Sequence, residues 1–305
     1  MDQIVIPSLL LVGGLTALQA AANVQLSAAI RSPFAASTLQ LAVGTALMLA
    51  VALPLGALAA LGPVDDVKPW HLVGGIGSAL YITAGILLFP RLGAVVAVGL
   101  FIAGQMLASL LLDGFGWLGV DREAVDAAAV AGAVAVVTGA YLIVRAQAGG
   151  RALGSAARRS VGLLVLGLAA GAALPLQGAI NAQLRADLDA PVATGAFSFL
   201  VATAAMLALL AAVPRASAIR PNLRQLPWWG WLGGLCGATY VTAVFLLIPE
   251  IGAAPTIALT VAGQQLASVL VDRHGLLRLP RRPITRRRLL GVAVLLAGVG
   301  LIQLG

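Results

Sequence analysis

Gly104-Gln-Met-Leu-Ala-Ser-Leu-Leu-Leu-Asp113 and Gly263-Gln-Gln-Leu-Ala-Ser-Val-Leu-Val-Asp272 decide how this chain reads. Seven of the ten positions are identical, and the two stretches lie 159 residues apart. Each sets a glutamine and an aspartate into an otherwise apolar run. An offset of 158–159 residues recurs outward from them. Gln19-Ala-Ala-Ala-Asn23-Val-Gln25-Leu26 matches Gln177-Gly-Ala-Ile-Asn181-Ala-Gln183-Leu184, with five of eight identical, including all three polar positions. Pro33 matches Pro191, Trp70 matches Trp228, and Tyr81 matches Tyr240. Gly74-Gly75 matches Gly233-Gly234, and Pro90-Arg-Leu-Gly93 matches Pro249-Glu-Ile-Gly252. Shared hydrophobicity alone does not hold Gln, Asn, Trp, Tyr and Asp in register, so the chain is an internal repeat.

Composition fixes the solvent. Of 305 residues, 60% are hydrophobic and 10% charged, with mean hydropathy +1.01. Soluble domains carry about 25% charged residues. The apolar residues fall in blocks near the roughly 20 residues that span a bilayer. A soluble enzyme, a secreted disulfide scaffold and a disordered chain are excluded. Breaks at Gly, Pro and charge clusters predict ten spans, near 4–28, 34–61, 69–89, 92–112, 124–145, 160–185, 192–214, 227–248, 251–271 and 287–304. The expected fold is an all-α polytopic membrane protein. It has two five-helix halves, 1–148 and 160–305, joined by a basic linker at 149–159. Met1-Asp2-Gln3 lacks the basic region of a signal peptide, so the first span is read as retained.

Charge predicts orientation. Net charge is +8, from eighteen Arg, one Lys and eleven acids. Ten spans put both termini on one side. The opposite side carries 16 of the 19 basic residues, and the terminal side only Lys68, Arg122 and Arg185. The Lys/Arg bias therefore predicts cytoplasmic arginine loops, including the linker, with both termini outside. The bias resides in the second half; the first alone is nearly neutral. Nucleic-acid binding is not expected, because no folded basic face exists to carry it. Five spans per half is an odd number, so equivalent helices cross in opposite directions. Such inverted repeats let one site open alternately to each side.

A Q-x-x-x-N-x-Q first helix and a G-Q-x-L-A-S-x-L-x-D fourth helix in each half resemble the YdcZ-like family of the drug/metabolite transporter superfamily. The resemblance covers essentially the whole chain, as a fused two-copy form. It implies an inner-membrane transporter exporting small organic molecules. The small multidrug resistance proteins are more distantly similar and use a glutamate in the first helix for proton and cation exchange. Here Gln19 and Gln177 occupy that region without a carboxylate, a departure that argues against that chemistry.

Polar side chains deep in a span are costly, so they are the site candidates. Gln19, Asn23, Tyr81 and Gln105 in the first half pair with Gln177, Asn181, Tyr240 and Gln264 in the second. Asn23 follows Gln19 by one turn, on the same helix face. If these faces converge, they offer amides and phenols to a neutral, zwitterionic or weakly polar substrate. Amides also serve as hydrogen-bond glue between membrane helices, and a duplicated contact would repeat as faithfully as a duplicated site. Asp113 and Asp272 end the fourth and ninth spans on opposite sides; they read either as gate residues or as helix-end anchors, for example to Arg273. Trp70, Trp228, Trp229 and Trp231 read as interfacial anchors. Pro175, two residues before Gln177, is expected to kink the sixth helix; Ala17 stands at the equivalent place in the first.

No phosphate-binding loop, metal-ligand cluster or catalytic set is legible, so no cofactor, metal or enzymatic activity is expected. The single Cys236 forms no intrachain disulfide. The expected function is a secondary-active or facilitative transporter working by alternating access in the lipid bilayer. The rival classes are a passive channel and a lipid flippase or scramblase. A fused pair already supplies both halves, so a monomer suffices.

Overall fold

A computed structural model describes residues 2–147, 157–213, 222, 224, 226–251 and 253–304. Most of the predicted linker, with Arg151, Arg215 and Arg220, lies outside the described residues. Ten α-helices and no strand are present among the described residues. They are α1 (Asp2–Ile30), α2 (Pro33–Ala52), α3 (Ile76–Leu92), α4 (Ala94–Phe115), α5 (Ala127–Gln147), α6 (Ala157–Leu188), α7 (Pro191–Ala212), α8 (Gly233–Ile251), α9 (Ala253–His274) and α10 (Arg286–Leu304). By length and composition, seven among the described residues can cross a membrane, namely α1, α2, α3 with the turn before it, and α4 to α7.

Helix boundaries depart from expectation where backbone chemistry intervenes. The second helix ends at Ala52, not near 61. Pro54 has no N–H to donate, and Gly56 takes φ +64°, a left-handed conformation that glycine adopts without a Cβ clash. Ala57–Asp66 then coils as a tighter 3-10 segment. The third helix starts at Ile76, after a 3-10 turn at Pro69–Val73. Ser32 caps α2 by accepting the Ala35 N–H at 3.2 Å. α4 is buried from Ala94 through Met106 without interruption, the pattern of a helix enclosed on every side.

The halves interlock. α1 packs against α8 and α9, and α6 packs against α3 and α4. α2 meets α7, and α5 meets α10. Exchanging every helix for its repeat mate leaves this set of pairings unchanged. Individual contacts exchange as well. A Cβ on Gly13 would lie 2.0 Å from the Thr260 carbonyl oxygen, and one on its mate Gly171 would lie 2.1 Å from that of Phe101, the mate of Thr260. Only glycine allows these backbones to approach so closely, which is how membrane helices gain packing without a hydrophobic drive between them. Thr45 and its mate Thr203 hydrogen-bond each other at 2.9 Å, where α2 crosses α7.

Candidate functional site

α6 presents Leu174, Gln177, Gly178, Asn181, Ala182 and Arg185 along one face, at the three- and four-residue spacings of a helix. This face borders a cavity of about 490 Å³. Small-molecule sites run to about 300–1,000 Å³. Gln105, Met106 and Ser109 enter from α4, and Thr194, Ser198 and Phe199 from α7. α8 adds Tyr240, Val241 and Val244, and α9 adds Ile257, Thr260, Val261 and Gln264. Gln303, next to the end of α10, also lines it.

A second, much smaller pocket of about 10 Å³ lies alongside. That is near the minimum of about 10–15 Å³ that holds one water. Its lining is Thr16, Gln19, Ala20, Asn23, Tyr81, Ile82, Gly85, Phe89, Phe101 and Gln264. Nine of these ten have their repeat mates in the large cavity, namely Leu174, Gln177, Gly178, Asn181, Tyr240, Val241, Val244, Thr260 and Gln105. One set of positions therefore occurs twice, once open and once collapsed. Phe101 fills the collapsed copy and packs on Tyr81 at 4.7 Å between ring centroids, where the open copy has Thr260.

The predicted polar residues divide accordingly. Gln105, Gln177, Asn181, Tyr240 and Gln264 line the large cavity, while Gln19, Asn23 and Tyr81 line the small one. Gln264 borders both, and its amide donates to the Tyr81 hydroxyl at 2.5 Å, bridging α9 to α3. The reciprocal pair, Gln105 and Tyr240, makes no such bond; the hydroxyl of Thr260, across the cavity lining from Tyr240, donates to the Thr256 and Ile257 carbonyls of its own helix. Several amides also hold helices together. The Gln177 side-chain carbonyl accepts from Ser78 at 2.9 Å. The Asn181 amide donates to Ser198 at 3.0 Å. The Asn23 and Asn181 carbonyl oxygens lie against Gly233 and Gly74, where a Cβ would come within 1.9 and 2.2 Å. Gln40, buried on α2, donates to the Gly230 carbonyl at 3.3 Å.

The two aspartates are unequal. The Asp272 carboxylate accepts from the Ala94 and Val95 N–H groups at 2.9 and 3.2 Å, and from Arg288 at 2.8 Å. It thereby ties the end of α9 to the start of α4, where the helix dipole favours an anion. Its partner is Arg288 on α10, not the adjacent Arg273. Asp113, its repeat mate, is half-buried and accepts from Ser109 at 3.4 Å. Sequence reasoning missed Arg185, Thr194, Ser198 and Gln303. In the sequence Arg185 reads as a charge at the end of the sixth span, although it falls on the Gln177–Asn181 face. No group of three or more His, Cys, Asp or Glu capable of holding a metal occurs among the described residues.

These features define an all-helical membrane protein with a drug-sized internal cavity of mixed amide and apolar lining. The model of the family described as "Putative inner membrane exporter, YdcZ" matches residues 4–142 and again 162–301, once per half. The chain belongs to this family. It is 30% identical over 82 residues to the inner membrane protein YdcZ of Escherichia coli (strain K12). That match covers 27% of this chain and 54% of the relative, so the chain spans about half the length of the curated protein it matches. A solved crystal structure is similar over 98% of this chain and 97% of its own, with TM-score 0.61 and 19% identity, a likeness of fold alone.

Proposed function

We propose that the chain is a transporter of ten spans in two inverted five-helix repeats, exporting small organic molecules by alternating access, secondary-active or facilitative. The observation that carries this reading is the pairing of cavities: equivalent residues line an open cavity on one side and a collapsed pocket beside it. The reciprocal Gly13–Thr260 and Gly171–Phe101 approaches and the Thr45–Thr203 bond support a pseudo-two-fold axis between the halves. Five spans per half then makes the repeat inverted, with both termini outside and the arginine loops cytoplasmic.

The moving bodies are not the sequence halves. One body is α1, α8 and α9; the other is α6, α3 and α4. Two contacts bridge them on the collapsed side, Gln264 to Tyr81 and Asp272 to the start of α4. Transport breaks those bridges and forms their mates, Gln105 to Tyr240 and Asp113 to the start of α9. The Gln264–Tyr81 bond is worth about 1 kcal/mol and each N–H bond to the Asp272 carboxylate about 1.5–3 kcal/mol, so the exchange is feasible because each broken bridge is replaced by its mate. The test is flux in proteoliposomes of solutes that thermally stabilise the purified protein. Saturable flux without conductance in a planar bilayer supports the reading. Ohmic current, or lipid scrambling without any solute dependence, would assign the chain to the channel or scramblase class.

A further inference from the structure

Arg185 is the one charged side chain among the residues that line the large cavity. It makes no hydrogen bond or ion pair among the described residues. It stands one turn beyond Asn181 and two beyond Gln177 on the cavity face of α6, which places it about 12 Å along the helix from Gln177. The cavity thus has a cationic outer end, apolar walls at Phe199, Val241 and Val244, and an amide floor at Gln105, Gln177 and Gln264. No acid is among the lining residues. Of the two acids that closely follow Arg185, Asp187 pairs with His71 and Asp189 is exposed and off the lining. Asp113 accepts from the lining residue Ser109 but does not itself line the cavity. A cationic solute would meet one like charge and no counter-charge on the lining. A solute bearing one carboxylate would meet a guanidinium whose fork matches that group in two hydrogen bonds.

We propose that the transported class is amphipathic organic monoanions. The carboxylate or similar group sits on Arg185, an apolar body lies along the walls, and a hydrogen-bonding group reaches the amides about 12 Å deeper. Arg185 is then a specificity-determining residue. Its repeat mate is Ser27, so the anion site exists in one of the two cavities only. This rests on the transporter reading and sharpens it by naming the substrate's charge.

The test compares three probes that share one body and differ in one group: indole-3-butyrate, its primary amide, and the corresponding amine. Binding to the full-length protein is read from the ligand dependence of the unfolding midpoint, which rises by mass action when a ligand prefers the folded state. The expected order is anion tighter than amide by about tenfold, with the amine weakest, since each tenfold reflects one charge-assisted contact. Arg185→Gln is expected to bring the anion down to about the amide's affinity, with a much smaller effect on the amide, whose carbonyl the Gln side chain can still reach as a neutral donor. Arg185→Lys is expected to keep part of the preference, because charge remains and the planar fork is lost. An Arg185 that serves only to anchor the helix end in the headgroups would leave the probe order unchanged in both variants, and that result overturns the proposal. Equal binding of anion and amide by the unaltered protein, tighter binding of the amine, or no binding of any probe at millimolar concentration overturns it as well. Failure of the transporter reading shows separately, as ohmic current or lipid scrambling in the bilayer assays, neither of which depends on the probe's headgroup.

Discussion

Replacing Asp272 by Asn keeps the shape of the side chain and removes its charge. The carboxylate is 1% exposed and receives three donors: two α4 N–H groups and the Arg288 guanidinium. Arg288 is itself 3% exposed, it also donates to the Pro283 carbonyl at 3.0 Å, and its Nε is buried without a partner. The amide retains one acceptor oxygen and turns an NH2 toward a donor, so one orphaned donor and an uncompensated buried cation remain. Breaking a buried pair from one side costs about 3–5 kcal/mol, and the retained oxygen places Asp272→Asn near the lower end, about 3 kcal/mol. That is roughly a hundredfold in the folding equilibrium. Arg288→Gln alone leaves the carboxylate buried with its two helix N–H donors, and should cost less. The double variant removes the stranded charge, so its loss should fall short of the sum by about 2 kcal/mol, the signature of two groups in direct contact. The assay is the unfolding midpoint and the rate of thermal aggregation in detergent across this cycle. Single variants within about 0.5 kcal/mol of the parent, or an additive double, would refute the reasoning.

Further outcomes follow from the same geometry. Tyr81→Phe removes the acceptor of the Gln264 amide, and the loss of about 1 kcal/mol should shift the balance between the two access states about fivefold toward the one now collapsed, read by cysteine labelling from each side. Gly13→Ala and Gly171→Ala place a methyl about 2 Å from a carbonyl oxygen and should abolish the yield of monodisperse protein, whereas Gly162→Ala and Gly178→Ala, which meet nothing within 4 Å, should match the parent. Thr45→Val and Thr203→Val should each cost about 1 kcal/mol and the double variant little more, because both remove the same hydrogen bond; unfolding midpoints over the cycle read this.

The class of fold was written in the apolar blocks, and the repeat in polar residues that hydrophobic composition does not place in register. The ends of α2 and α3 were not, because Pro54, Gly56 and the Gly74-Gly75 pair act on two or three residues within a continuous apolar run. The paired glutamines and tyrosines were legible as candidates because their burial in a span is costly. Which copy stands open was not legible. The pocket-lining positions recur in both halves, so which copy is open depends on conformation and on exchanges among them such as Phe101 for Thr260. Thr194 and Ser198 of α7 passed as ordinary small polar residues of a membrane helix. Thr45 and Thr203 carried a readable signal, since they recur at the offset of 158 already found for Gln19 and Gln177. Asn23 and Asn181 show the limit of such signals: they line the two pockets, yet their carbonyl oxygens sit against glycine backbones, and both roles repeat together.

The most direct measurement is the sidedness of labelling of two repeat-mated cysteines. Gly178→Cys and Ala20→Cys are placed singly and together in a Cys236→Ser background and treated with a membrane-impermeant maleimide from either side. Gly178 borders the open cavity and Ala20 the collapsed one. Alternating access predicts that Gly178→Cys reacts from one side and Ala20→Cys only from the other. Conditions that raise one rate, such as Tyr81→Phe, should lower the other. If both cysteines react at once from the same side, at rates that do not trade against each other, the chain encloses a continuous pore and the account is contradicted.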